Sequence, residues 1–385
     1  MTPHHDLPVA RSKNVSYLPG VDHLRGFAAF YIVAYHGGQR LRGTAANPFP
    51  TASHPGSAVF IEGHTAVALF MVLSGFILTY GADRREVRYG GFMRNRVLRV
   101  VPMYVVVMAI AMFTTVGSGA GGVTFGGVLP YFTLLATPPF PFADLGVWSA
   151  VLWSVSVEFA FYLVFPFLLR FLQRYGARYL VGVLAMLNLL RLLVAATDAA
   201  RVRDLSYWTI VGRLDQFVLG MLAAWCLRRG WVELRRRWWA TATASALVAL
   251  ALALWWFNRH GSFYAAGRWR AVWPLAEGAL WAAVVLGWVA ATKGLGHRLA
   301  RWLTFPGLIS YSVYLLHYPV VAAVRGRGWT LVDPPVANAL LLTVLVVVPV
   351  VAALATLCYL VVERPFMELR VRYLSDAPGG PAAST

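Results

Sequence analysis

The chain of 385 residues is 59% hydrophobic, and only 13% of its residues are charged. Soluble domains have about 45–50% apolar and about 25% charged residues, so this composition excludes a soluble globular protein and a disordered chain. The 34 Lys and Arg residues outnumber 16 Asp and Glu residues, which gives a net charge of +18. In a polytopic membrane protein this excess is typical of cytoplasmic loops, and we expect no nucleic-acid partner. Both cysteines lie in apolar stretches, and we expect no disulfide and no bound metal.

Apolar stretches near the roughly 20 residues that a lipid bilayer requires recur along the chain, with short polar breaks between them. We therefore predict an all-α polytopic membrane protein of about ten transmembrane helices, in one domain over residues 21–370. Residues 1–20 are predicted to be a cytoplasmic segment, and residues 371–385 a disordered cytoplasmic tail. The predicted spans are about 22–38, 59–80, 98–117, 149–169, 179–196, 207–227, 238–257, 271–292, 306–324 and 336–361.

Positive charge predicts the orientation of these spans. If the N-terminus is cytoplasmic, 22 of the 34 Lys and Arg residues fall in inside segments and 9 in outside segments. This asymmetry predicts that both termini face the cytoplasm (N-in/C-in), which requires an even number of spans. We expect a multi-pass protein of the cell (inner or plasma) membrane.

The first span carries ionisable residues, which are costly in a bilayer and are therefore functional candidates. Asp22 stands where an N-cap is expected and can pair with Arg25, three residues later. Arg25 and His36 are 11 residues apart, which places them on one helical face about 16 Å from each other. This stripe favours a pathway through the membrane. A snorkelling arginine and a buried neutral histidine are the structural alternative.

Two arginines open the third span, in Arg96-Val97-Leu98-Arg99. Their spacing places both guanidinium groups on one face at a helix N-terminus, which is a plausible phosphate site. Alternatively, these two arginines serve only to keep this end of the helix on the cytoplasmic side of the membrane. Glu363-Arg364-Pro365 closes the tenth span, and we predict a structural role for Glu363 and Arg364, which can pair with this cluster.

Glu158 lies roughly 15 Å deep in the fourth span if the helix enters from outside. We predict that it approaches His36, because a carboxylate can orient an imidazole and raise its basicity. A structural ion pair of Glu158 with Arg213 or Arg25 is the alternative. Pro319 is expected to kink or end the helix of the ninth span. Further inward candidates are Arg213, Asp215, Glu277, Tyr311 and His317.

These residues fall in short motifs that, in this order, resemble the acyltransferase-3 family of integral membrane O-acyltransferases over about residues 18–370. The motifs are Asp22-His23-Leu24-Arg25-Gly26 with His36, residues 70–76, Arg96-Val97-Leu98-Arg99 with Pro102, residues 153–159, Tyr311-Ser312 with His317 and Pro319, and Glu363-Arg364-Pro365.

The resemblance implies transfer of an acyl group, often acetyl, from acyl-CoA to a hydroxyl group. Acceptors in the family include sugars of surface polysaccharides, peptidoglycan, lipids and macrolides. Acyl-CoA (acetyl-CoA) would be a co-substrate, with no permanently bound cofactor. The family's essential Arg and His correspond to Arg25 and His36, and its paired arginines to Arg96 and Arg99. Many members carry an appended esterase-like domain, which we do not expect in this chain.

This reaction needs a base for the attacking hydroxyl and a partner for the thioester oxygen. His36, supported by Glu158 or Asp22, is the predicted base, and Arg25 either holds the donor or stabilises developing charge. Arg96 and Arg99 are predicted to bind CoA phosphates. Both direct transfer and an acyl-enzyme intermediate remain open. The residues predicted to bind substrate are Trp153, Ser156, Arg213, Tyr311 and His317.

A second interpretation is a transporter or flippase in which Arg25, His36 and Glu158 form a substrate or proton relay. That class predicts inverted repeats, and the sequence shows none. Formation of an acylated product by the purified protein separates the two classes.

Overall fold

The computed structural model describes residue 14 and residues 18–42, 50–117, 124–137, 144–230, 236–292 and 297–376. Within these ranges the protein is almost entirely helical. Its helices are α1 (Pro19–Arg40), α2 (Pro55–Ile61), α3 (Ala66–Ala82), α4 (Tyr89–Gly117), α5 (Phe125–Phe132), α6 (Ser149–Tyr175), α7 (Ala177–Thr197), α8 (Ala199–Trp208), α9 (Ile210–Arg228), α10 (Arg236–Arg259), α11 (Trp273–Ala291), α12 (His297–Leu308), α13 (Ser310–Gly326), α14 (Pro335–Leu342), α15 (Val348–Cys358) and α16 (Arg364–Glu368). Short π-helical turns join α14, α15 and α16 into one helix.

The all-α polytopic class is confirmed. Eight of the described helices are long and apolar enough to cross a membrane, or nine if α12 and α13 are counted as one bent span. The first predicted span is the 22-residue helix α1, which is not among these eight. It packs against α3, α12 and α13 in the interior of the bundle, where polar residues can find protein partners instead of lipid.

Two local predictions about helix ends are wrong. Helix α1 begins at Pro19, a favoured first-turn residue, so Asp22 lies inside the first turn and is not its N-cap. Pro319 lies inside α13 and does not end it. The bend of 67° instead falls between Leu308 and Ser310.

Helices α3 and α9 cross with their backbones almost in contact. A Cβ atom added at Gly75 would lie 2.0 Å from the carbonyl oxygen of Phe217, and one at Gly220 would lie 2.1 Å from that of Val72. Only glycine fits at these two positions, since any side chain would collide with backbone. This crossing fixes α3, and therefore Ser74, relative to the rest of the bundle.

The predicted disorder of residues 371–385 is wrong for its first part. Leu374–Asp376 forms strand β2, which pairs antiparallel with strand β1 (Arg85–Val87). Tyr373 and Leu374 are buried. Residues 377–385, and all of the predicted segment 1–20 except residues 14 and 18–20, lie outside the described ranges. We call the end of the bundle that carries this sheet and the start of α4 the arginine-rich end.

Candidate active site

A cavity of about 640 Å³ opens among α1, α3, α4, α6 and α13 at the arginine-rich end. This volume lies within the range of small-molecule sites, which is about 300–1,000 Å³. Charged side chains from four separate parts of the chain line it, namely Asp22, Arg25, Arg96, Arg99, Glu158 and Arg370.

Helix α1 brings Asp22 and Arg25 to the cavity from one face of its first two turns. Arg25 Nη1 lies 3.9 Å from Asp22 Oδ1, which confirms the predicted i,i+3 pair. Both side chains are partly exposed to the cavity. The pair can therefore meet a ligand that enters from the arginine-rich end.

Helix α4 presents Arg96 and Arg99 to the same cavity, which confirms that they share a face. Arg99 Nη1 donates to Glu363 Oε2 at 2.6 Å. The predicted pairing of this cluster with Glu363 is therefore confirmed, whereas Arg364 pairs with Glu368 on the surface. The guanidinium of Arg96 lies over the rings of Phe92 and Tyr162, 5.6 and 5.5 Å from their centroids.

Glu158 lines the cavity but does not approach His36 in the structure, so this predicted contact is wrong. Its Oε1 accepts hydrogen bonds from Ser74 Oγ at 2.7 Å and from Tyr162 Oη at 2.5 Å. The alternative ion pair is not observed either, because Arg25 pairs with Asp22 and Arg213 with Glu277. Two hydroxyl donors hold the carboxylate in place and leave its other oxygen available to the cavity.

The structure pairs His36 with His317. His36 Nδ1 lies 2.9 Å from His317 Nε2, and the two rings are stacked with centroids 5.1 Å apart. His317 is fully buried, while His36 is partly exposed. The predicted substrate-binding residue His317 therefore lies behind the predicted base.

A backbone carbonyl determines which nitrogens of this pair carry protons. His317 Nδ1 lies 2.6 Å from the Tyr314 carbonyl oxygen, which can only accept, so Nδ1 must be protonated. Nε2 of neutral His317 is then an acceptor, and the Nδ1–H group of His36 donates a hydrogen bond to it. Neutral His36 is left with an unprotonated Nε2. That atom is the one that can remove a proton from a substrate.

Tyr314 joins the histidine pair to the cavity. Its carbonyl orients His317, and its side chain lines the cavity, where its hydroxyl lies 2.7 Å from Ser154 Oγ. The ring of Phe70 packs edge-on against it at 5.8 Å. The Tyr314 ring lies 5.8 Å from the ring of His317, and Tyr314 therefore links the arginine-lined cavity to the partner of His36.

The remaining predicted substrate residues fall into two groups. Tyr311 lines the cavity beneath Arg99. Arg213 is buried, donates to Glu277 and covers the ring of Tyr207 at 4.3 Å. Trp153 also packs against that ring, at 5.3 Å. Ser156 is buried and does not line the cavity.

Sequence reasoning missed a carboxylate–imidazole pair near His36. His64 Nε2 lies 2.9 Å from Glu62 Oε2, and both residues are buried. The ring of Tyr35 packs against both His36 and His64, at 4.7 and 5.9 Å. The signal was present in the sequence, since Glu62 and His64 are ionisable residues at the start of the second predicted span.

Comparison with known proteins agrees with this architecture. A family described as an acyltransferase domain matches residues 18–361. Acyltransferase MdmB of Streptomyces mycarofaciens is 28% identical over 61% of this chain and 62% of its own length. Exopolysaccharide production protein ExoZ of Rhizobium meliloti is 28% identical over 70% of this chain and 80% of its own. Nodulation protein 10 of Rhizobium leguminosarum bv. viciae is 27% identical over 79% of this chain and 82% of its own length.

No solved structure matches the chain significantly. The aligned region spans less than two thirds of the Streptomyces relative. The family match, in contrast, covers α1, α3, α4, α6 and α13 of the cavity wall together with the His36–His317 pair. The chain therefore belongs to the acyltransferase-3 family of membrane proteins.

Proposed function

We propose that this protein is an O-acyltransferase of the cell membrane that moves an acyl group, typically acetyl, from acyl-CoA to a hydroxyl group of a carbohydrate. The observation that carries the proposal is the arginine-lined cavity, which Tyr314 links to the His36–His317 pair, in which Nε2 of His36 is unprotonated. A cationic cavity suits a phosphorylated donor, and a partly exposed imidazole suits an acceptor hydroxyl.

The donor occupies the cavity in this proposal. Arg96 and Arg99 bind its phosphate groups at the arginine-rich end, where guanidinium groups offer paired donors to phosphate oxygens. Arg25 holds the pantetheine or phosphate end of the donor. It is about 16 Å from His36 along α1, too far to stabilise charge at the carbon that is attacked beside His36. Of the two roles considered for Arg25, holding the donor and stabilising developing charge, we therefore propose the first.

The chemistry takes place at His36. Its Nε2 removes the proton of the acceptor hydroxyl as the oxygen attacks the thioester carbon. The carbon–sulfur bond then breaks, and the CoA thiolate leaves and takes the proton from His36. As His36 becomes cationic, its Nδ1–H bond to His317 becomes charge-assisted and therefore stronger. This route needs no acyl-enzyme intermediate.

The acceptor approaches from the end opposite the arginines. Trp153 and Tyr207, with Arg213 over the Tyr207 ring, supply aromatic faces and a cation on that side of the cavity. The name of the Rhizobium meliloti relative associates that protein with exopolysaccharide production. We propose a hydroxylated sugar as acceptor, whether free, on a polysaccharide or on a glycosylated macrolide.

Formation of an acylated product from acetyl-CoA by the purified protein tests the function, and Arg96 tests the donor site. We expect Arg96→Gln to raise the KM for acetyl-CoA about 10- to 100-fold, because hydrogen bonds to charged groups contribute about 1.5–3 kcal/mol each. Arg94→Gln is the matched control, since Arg94 is exposed two residues earlier and does not line the cavity. Equal KM values for the two variants would contradict the assignment.

Glu158 is predicted to act in the cavity as an anion. Glu158→Gln preserves size and can still accept from Ser74 and Tyr162, but it removes the charge. We expect normal folding and a kcat lowered by about tenfold or more, which steady-state kinetics and size-exclusion chromatography would measure. A variant with wild-type kcat would show that the carboxylate only supports the helix packing.

The N-in/C-in topology is also a proposal, and it places the arginine-rich end in the cytoplasm, where acyl-CoA is made. Single cysteines introduced at exposed Arg84 and Arg94 should be protected from impermeant thiol reagents in intact cells and labelled in inverted vesicles. Labelling of these positions in intact cells would reverse the orientation.

A further inference from the structure

The C-terminal strap, residues 370–376, forms part of the cavity wall although it follows the last transmembrane helix. Arg370 and Tyr373 both line the cavity. Tyr373 is buried and packs edge-on against Phe92 at 5.4 Å, one turn of α4 before Arg96. The strap therefore forms one wall of the cavity at its arginine-rich end.

Several polar contacts fix the position of the strap. Asn95, the residue before Arg96, hydrogen-bonds with the backbone of Val371 in both directions: Nδ2 donates to the carbonyl at 2.7 Å and Oδ1 accepts from the amide at 2.9 Å. Asn14 Oδ1 accepts from the Tyr373 amide at 2.7 Å. Strand β2 within the strap pairs with β1. A buried amide side chain that holds a backbone in this way selects one register of the strap on α4.

This anchoring brings a third guanidinium group to the paired arginines. Arg370 Nε donates to the Met367 carbonyl at 2.8 Å, and this hydrogen bond holds the Nε side of the Arg370 guanidinium group at the cavity wall. Burial, and then the nearby Arg99 and Arg96, lower the pKa of Arg370 to about 10. The side chain is still charged at neutral pH. Like charges held together in this way repel each other, and a bound polyanion relieves that repulsion.

A second observation points to a ligand at the same place. Arg96 Nε is buried and has no hydrogen-bond partner within the described part of the chain. A buried donor without a partner costs about 1–3 kcal/mol. An anionic oxygen between Arg96 and Arg370 would satisfy it.

We propose that the C-terminal strap belongs to the donor site and that Arg370, together with Arg96, binds a phosphate group of acyl-CoA. The proposal rests on the proposed function, because it takes acyl-CoA as the ligand of the cavity. A donor site of this kind explains why the strap is attached to α4 at Asn95, directly before Arg96. It also makes a segment outside the membrane spans a determinant of donor affinity.

The test compares two arginines of the strap in the full-length protein, purified into nanodiscs of neutral lipid. Arg370 lines the cavity, whereas Arg372 is exposed and does not. Arg370→Gln should weaken CoA binding, measured by calorimetry, about 10- to 100-fold. Arg372→Gln removes the same charge from the same segment and should change the Kd less than twofold. Equal Kd values for the two variants would overturn the proposal.

A second ligand identifies the phosphate. Dephospho-CoA lacks the ribose phosphate, so Arg370→Gln should weaken the binding of CoA but leave that of dephospho-CoA nearly unchanged if Arg370 contacts that group. Equal losses for both ligands would assign Arg370 to the diphosphate. If the effect of Arg370→Gln arises only in nanodiscs that contain phosphatidylglycerol, Arg370 binds lipid headgroups, and the proposal is wrong.

Release of the strap tests its position independently of its charge. Asn95→Ala removes both hydrogen bonds to Val371 and leaves all arginines in place, and it should weaken CoA binding in protein that remains monodisperse. Should that variant fail to fold, the comparison of Arg370→Gln with Arg372→Gln still tests the role of the strap.

Failure of the wild-type protein to bind CoA would reject the proposed function itself. If the wild-type protein binds CoA and Arg370→Gln binds it equally well, only the role of the strap is rejected.

Discussion

Replacing His36 with alanine should lower kcat by about 10²–10⁴-fold, the usual loss when a general base is removed. Its Nε2 is the unprotonated ring nitrogen of the His36–His317 pair that does not serve as acceptor in the hydrogen bond between the two rings. The KM for acyl-CoA should change little, because Arg25, which we propose holds the donor, lies about 16 Å away along α1. Initial rates at saturating acetyl-CoA and a monodisperse elution profile in detergent would measure both effects. Near-normal turnover would mean that His36 is not the general base and that the active site lies elsewhere in the protein.

Variants of His317 separate a positioning role from substrate binding. His317→Leu removes the acceptor for the His36 Nδ1 proton, so His36 loses its preferred tautomer and orientation. We expect kcat to fall while the KM for the acceptor stays near the wild-type value. His317→Gln places an amide oxygen near the lost Nε2 and should recover part of the rate. A rise in KM at constant kcat would instead support the sequence-based assignment of His317 to substrate binding.

Removal of one partner from the buried Arg191–Asp215 pair should cause the largest loss of stability. Arg191 Nη2 donates to Asp215 Oδ2 at 2.6 Å, and both side chains are 0% exposed. Arg191 also donates to the carbonyls of Ala271 and Val211. Arg191→Met would leave an uncompensated buried carboxylate, which costs about 3–5 kcal/mol in free energy of unfolding. Thermal and SDS-induced unfolding in detergent would measure the loss.

The matched control is the same substitution in an exposed ion pair. Arg201 lies 3.7 Å from Asp198, and the two side chains are 77% and 44% exposed. Arg201→Met should therefore change the free energy of unfolding by about 0.2–1 kcal/mol. Arg191→Met combined with Asp215→Leu should recover only part of the loss, since the two carbonyls still lack their donor. If Arg191→Met is as mild as Arg201→Met, the pair does not hold α7 against α9.

Local patterns in the sequence determined the class of the protein and much of its site. Apolar stretches of bilayer length predicted the membrane helices, because lipid admits only elements that satisfy their own backbone hydrogen bonds. The spacing of Arg96 and Arg99 predicted a shared face, and that of Asp22 and Arg25 an ion pair; the structure shows both. Each of these follows from the geometry of a single helix.

Only the tertiary structure determined which distant groups meet. Glu158 takes its hydrogen bond from Ser74, 84 residues away, and His36 pairs with His317, 281 residues away. Asn95 binds Val371 of the strap, 276 residues later, where the sequence predicted disorder. The desolvation cost of a polar group in the membrane requires that it have a partner. That requirement does not say which helix supplies the partner, because the choice depends on how the helices pack, as at the Gly75 and Gly220 crossing.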